Sequence, residues 1–107
     1  MKIIHNKLVR DYIPEIIRSD GKNLKTKTLP KENYIVELEK VFVESATQLP
    51  KAKENKERIG EIVDLLEVLD AILNFYNIDR KEINLQKILK KKKKGSFSKR
   101  IYLEYEE

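Results

Sequence analysis

Glu61-Ile62-Val63-Asp64-Leu65-Leu66-Glu67-Val68-Leu69-Asp70 lies near the start of the longest helical apolar pattern in the chain, and its reading decides the fold. An α-helix turns about 100° per residue, so residues three or four apart share a face. On that wheel Ile62, Leu65, Leu66, Leu69, Ile72, Leu73 and Tyr76 form one broad apolar arc. Glu61 falls inside the arc and Asp64 at its edge, while Glu67 and Asp70 drift to the polar side. An unpaired charge turned inward costs several kcal/mol, an order of magnitude that demands a cationic partner. A divalent metal carrying a phosphate meets that demand. So does a salt bridge to Lys or Arg, and the helix dipole by itself favours acids near an N-terminus.

The helix holding this stretch is expected from about Asn55 to Tyr76, preceded by a charged, proline-broken loop over 48–54. Before the loop a second helix runs from Pro30 to about Leu49 and is stopped by Pro50. Its apolar face comprises Tyr34, Ile35, Leu38, Val41, Phe42, Ala46 and Leu49, with Ser45 projecting from the middle and Gln48 and Glu44 towards one margin. A short link between two such helices favours an antiparallel pair. That pairing brings Ser45 and Gln48 opposite Glu61 and Asp64. Carboxylates one turn apart suit Mg²⁺, which takes one or two of them, keeps several waters and completes its shell with substrate phosphates. Such an ion screens a triphosphate and activates a water for attack on phosphorus.

Towards the N-terminus, 5–10 reads as an extended arm ending at Asp11, the expected N-cap of a short helix from Tyr12 to about Asp20, with Pro14 in its first turn and Gly21 as its stop. Towards the C-terminus, Asp79 and Glu82 form a capping-box pattern for a fourth helix that turns Ile83, Ile88 and Leu89 inward and ends in Lys90–Lys94. Residues 24–29 and 100–105 alternate in type, and a small two-stranded ribbon between them is expected. The whole of 1–107 reads as one all-α domain, a four-helix bundle with that ribbon beside it.

Composition narrows the function. The chain has no cysteine, which removes disulfide scaffolds and thiolate metal sites. The opening residues lack the pattern of a signal peptide and no apolar run spans a membrane, so a cytoplasmic protein is expected. Much of the formal net charge of +5 sits in Lys90–Lys94. A lysine run attracts polyanions, but no aromatic residue is interleaved with it, so nucleic acid is not the expected ligand.

Three stretches carry a family resemblance. Asn6-Lys7-Leu8-Val9-Arg10-Asp11-Tyr12-Ile13-Pro14-Glu15-Ile16-Ile17 resembles the opening signature of the MazG-like, phosphoribosyl-ATP-pyrophosphohydrolase-like proteins. Glu61-Ile62-Val63-Asp64 is similar to their E-x-x-D metal half-motif, and Lys94-Gly95-Ser96-Phe97-Ser98-Lys99-Arg100-Ile101-Tyr102-Leu103-Glu104 to their usual ending. The resemblance implies an all-α nucleoside triphosphate pyrophosphohydrolase, dimeric or higher, that holds Mg²⁺ between two acidic helices and cuts an NTP to NMP and pyrophosphate. It implies Glu61 and Asp64 as chief metal ligands, with Glu44 and Gln48 as helpers and Mn²⁺ as a substitute ion. Glu44, Glu61 and Asp64 are then the catalytic set, and Lys7, Arg10, Asp11 and Lys94 face the nucleotide. From the residues alone, Arg10 and Asp11 equally suit a salt bridge and a cap that fix the arm.

One departure from the family pattern matters. Where the family carries E-E-x-x-E on the second helix, this chain has Glu44-Ser45-Ala46-Thr47-Gln48. Two carboxylates have become a hydroxyl and an amide, which still offer oxygen but no charge, and any second metal site is expected to disappear. Lys94 stands where arginine is usual, replacing a planar fork by a point charge. Three functions therefore stand: a pyrophosphohydrolase of reduced activity, an inactive relative that binds a nucleotide or a protein partner, and a small nucleic-acid-binding module built on Lys90–Lys94. The apolar faces of four helices in so short a chain also predict a homo-oligomer, a dimer, that completes the core.

Overall fold

Proline, glycine and asparagine set the helix boundaries. The computed structural model describes residues 2–107. It contains α1 (Ile13–Ser19), α2 (Lys31–Gln48), a 3₁₀ turn over Leu49–Lys51, α3 (Asn55–Phe75) and α4 (Arg80–Lys94). The chain is all-α, and no strand occurs among the described residues.

Two helices stop in the same way. After α1 the N–H of Lys22 donates to the carbonyl of Ile17 and that of Gly21 to Arg18, with Gly21 at φ +78°. After α3 the N–H of Ile78 donates to Leu73 at 2.9 Å and that of Asn77 to Asn74, with Asn77 at φ +56°. Both are Schellman stops, which need one left-handed residue, and asparagine tolerates that conformation better than most side chains. α4 begins as its sequence implies, with the Asp79 carboxylate accepting from the N–H of Lys81 at 2.9 Å. α1 does not. Its N-cap is Tyr12, with no side-chain bond to the first turn, so Asp11 is not the cap that was expected. The helix is short and Pro14 already removes one of its free N–H groups, which leaves little for a cap to satisfy.

The packed part of the molecule is the antiparallel hairpin of α2 and α3, held at its end by the 3₁₀ turn. Leu38 on α2 and Val68 on α3 are its most buried apolar side chains, at 4% and 7% exposure, and Ser45 is buried beside them at 7%. Tyr34 and Phe75 meet edge to face with ring centroids 6.1 Å apart, which ties the start of α2 to the end of α3. The Ser45 position agrees with the sequence, whereas Ala46 is exposed.

Three expectations are corrected. The arc assigned to the inner side of α3 is rotated: Ile62, Leu66, Leu69 and Tyr76 stay exposed, and Val68 faces α2 instead. Ile83, Ile88 and Leu89 of α4 are exposed as well, because α4 makes no packing comparable to that of the hairpin. Residues 24–29 and 100–105 form no ribbon. Apart from the half-buried Leu24 and Leu29 both stretches are exposed, and Phe97, Ile101 and Tyr102 are almost wholly so. The radius of gyration is 18.5 Å with extents of 60 × 35 × 26 Å, against about 13 Å for a compact domain of this length.

A polar cleft between the end of α2 and the start of α3

The turn that stops α2 at Pro50 also opens a cleft. Gln48, Lys51 and Ala52 line it from the α2 side, and Glu57, Gly60, Glu61 and Asp64 from α3, around a volume of about 310 Å³. Glu61 and Asp64 are half-buried and lie on the side of α3 that carries Val68. Glu57, Glu61 and Asp64 fall at i, i+4 and i+7, the spacing that stacks side chains along one helix face. Glu57 was not among the expected site residues, although that spacing was present in the sequence and is the signal that could have found it. Lys51 had no such signal. The 3₁₀ turn carries it to the cleft, and the turn follows from how α2 and α3 meet.

Arg10 reaches the same place from the N-terminal arm. One of its guanidinium nitrogens, Nη2, donates to Oδ1 of Asp64 at 2.7 Å, across 54 residues of sequence. The salt bridge weighed as one reading of Arg10 is thus present, with Asp64 as its partner. Both side chains remain about half exposed, so solvent screens the pair. Replacing Arg10 by alanine is expected to lower stability by less than about 1 kcal/mol. A melting temperature within a few degrees of wild type, read by circular dichroism, checks this.

The other candidates do not join the cleft. Glu44 is exposed and borders a separate, open depression with Val36, Glu39, Lys40 and Val43. Lys7, Asp11 and Lys94 are exposed and line neither place. Ser45 is buried in the helix interface, and of the α2 pair only Gln48 lines the cleft. Among the described residues no three His, Cys, Asp or Glu side chains come together to hold a metal. The donor set of the cleft, two half-buried carboxylates and an amide oxygen, suits a hard cation that keeps waters and takes phosphate oxygens.

Gly60 sits mid-helix beside these acids. A Cβ there meets nothing within 4 Å, so packing does not require glycine. Gly60→Ala is expected to stabilise α3 by about 0.5–1 kcal/mol, measured as a raised denaturation midpoint.

Compared with protein-family models, with curated proteins and with solved structures, the chain matches none of them. No helix among the described residues is long and apolar enough to cross a membrane.

Proposed function

We propose that this chain is a nucleoside triphosphate pyrophosphohydrolase of the MazG-like kind, cutting an NTP to NMP and pyrophosphate with Mg²⁺ or Mn²⁺. The observation that carries the reading is one polar cleft in which Glu61 and Asp64, half-buried, stand beside Gln48 and Lys51. Mg²⁺, when bound, neutralises triphosphate charge and polarises the phosphorus under attack. Glu61 and Asp64 hold it, and the Gln48 amide oxygen adds a neutral donor. The Lys51 ammonium meets phosphate oxygens at the rim. Glu57 shares the cleft and is better placed than Glu44 to take the proton of an attacking water. The resemblance of residues 6–17, 61–64 and 94–104 to that family supports the same reading, and with it a cytoplasmic homo-oligomer, a dimer, acting on non-standard nucleotides. Turnover is expected to be weak, because Ser45 and Gln48 bring no charge to the α2 side.

Pyrophosphate release from a panel of standard and modified NTPs, with Mg²⁺ or Mn²⁺, tests the proposal. A second reading rests on the Arg10–Asp64 pair, which already neutralises one of the two carboxylates. On that reading the protein binds a nucleotide or a protein partner without hydrolysis. Saturable nucleotide binding with no product over hours selects it.

A further inference from the structure

Every residue of 76–107 is exposed, the 15 residues of α4 among them. A helix of that length with no covered face is marginal in water. α4 also works against itself, since Lys87, Lys90, Lys91 and Lys94 stand three and four apart and repel one another. Charge is divided unevenly along the chain. Residues 80–101 hold ten of the 23 Lys and Arg and one of the 18 Asp and Glu, a net charge of +9. The hairpin from Lys31 to Phe75 holds six basic and ten acidic residues, a net charge of −4.

The same basic end carries uncovered apolar side chains. On α4, Leu85, Ile88 and Leu89 fall within an arc of about 100°, and all three are about half exposed. Lys91 and Lys93 flank that arc, Lys92 closes its C-terminal end and Ile83 lies outside it. After Gly95 the chain continues through Phe97, Ile101, Tyr102 and Leu103, each more than 70% exposed, with Lys99 and Arg100 between them.

We infer that α4 and the tail after it form a docking surface for an anionic lipid bilayer. A bilayer interface supplies the two complements this surface lacks, a plane of negative headgroups and an apolar layer directly beneath it. Leu85, Ile88 and Leu89 enter that layer together with Phe97 and Ile101, while the lysine stems lie along it and keep their ammonium groups among the headgroups. The negative headgroups also relieve the repulsion between the lysines. A nucleic acid meets the lysines equally well but leaves Leu85, Ile88, Leu89, Ile101 and Leu103 without a partner. The acidic hairpin is repelled by the surface that attracts α4, so the molecule stands on its basic end. The Arg80–Asp70 ion pair ties the first residue of α4 to α3, and Glu61 lies about 20 Å back along α3 from Phe75, so the cleft stays open to solution.

Flotation of the full chain with phosphatidylcholine vesicles, with and without phosphatidylglycerol, tests the inference. Binding is expected only to the anionic vesicles at about 0.1 M salt, where the Debye length is ~10 Å. Lys91→Gln/Lys92→Gln/Lys93→Gln is expected to bind at least about thirtyfold more weakly, and Lys22→Gln/Lys25→Gln/Lys27→Gln as wild type. Leu89→Ala/Ile101→Ala is expected to lose about tenfold with an unchanged salt dependence. The chain has no tryptophan, so Phe97→Trp gives a single reporter, expected to shift to the blue on anionic vesicles and to be quenched by brominated lipid tails. Absence of binding to anionic vesicles overturns the inference, with or without binding to a single-stranded oligonucleotide. So does adsorption that ignores Leu89→Ala/Ile101→Ala and leaves the Phe97→Trp reporter unquenched, which is charge attraction alone. None of these readouts involves turnover, so they stand apart from the proposed hydrolysis.

Discussion

Glu61→Ala/Asp64→Ala is expected to lose pyrophosphate release by at least about a hundredfold while the helical signal is retained. The two side chains are the half-buried carboxylates of the cleft, one turn apart on α3. A metal held there stabilises the charge of the transition state by several kcal/mol, and each 1.36 kcal/mol is about tenfold in rate. The fold does not need them: Asp64 pairs with Arg10 through a half-exposed bridge, and Glu61 makes no salt bridge among the described residues. The Asp64 bridge is screened by solvent, so its loss costs the fold less than about 1 kcal/mol. Single-turnover pyrophosphate assays at saturating Mg²⁺ read the effect. Equal turnover in the double variant removes both residues from the mechanism.

Leu38→Ala is expected to have the largest effect on stability, a loss of about 2–4 kcal/mol. Among the described residues only Leu38 and Val68 are apolar and less than one-tenth exposed, so the hairpin has little else to hold it. Deleting three carbons at that point forfeits their transfer energy and leaves a cavity between α2 and α3. For a domain of this size the melting temperature falls by roughly 10 °C or more. A shift of only one or two degrees would show that stability resides elsewhere than at Leu38.

The residues that end helices could be read locally, and they held. Pro30, Pro50, Gly21, Asp79 and Gly95 each act through their own backbone or side chain within a few positions, so no knowledge of the remote chain is needed. The inward turn of Glu61 was legible for a similar reason, because helical periodicity places it in the apolar sector. The sector itself was too wide to give a direction. Apolar side chains cover more than half the circumference of α3, from Ala71 through Val68 and Leu65 to Leu66. Periodicity then says that the helix is largely covered, but not by what on which side. Only the approach of α2 decided that Val68 is buried and that Leu66 and Leu69 are not.

The membership of the cleft was decided at the same level. Glu44 and Gln48 are one turn apart and were grouped with Glu61 and Asp64, yet the hairpin carries Gln48 into the cleft and leaves Glu44 on another side. Arg10 meets Asp64 because the N-terminal arm passes the middle of α3, a contact across 54 residues that no local pattern encodes. By itself the sequence determined the helices, their ends and the presence of carboxylates on an inner face, since these depend on interactions within a turn or two. The tertiary structure decided which of those faces meet and which acids share a cleft, because both depend on the angle at which two helices approach.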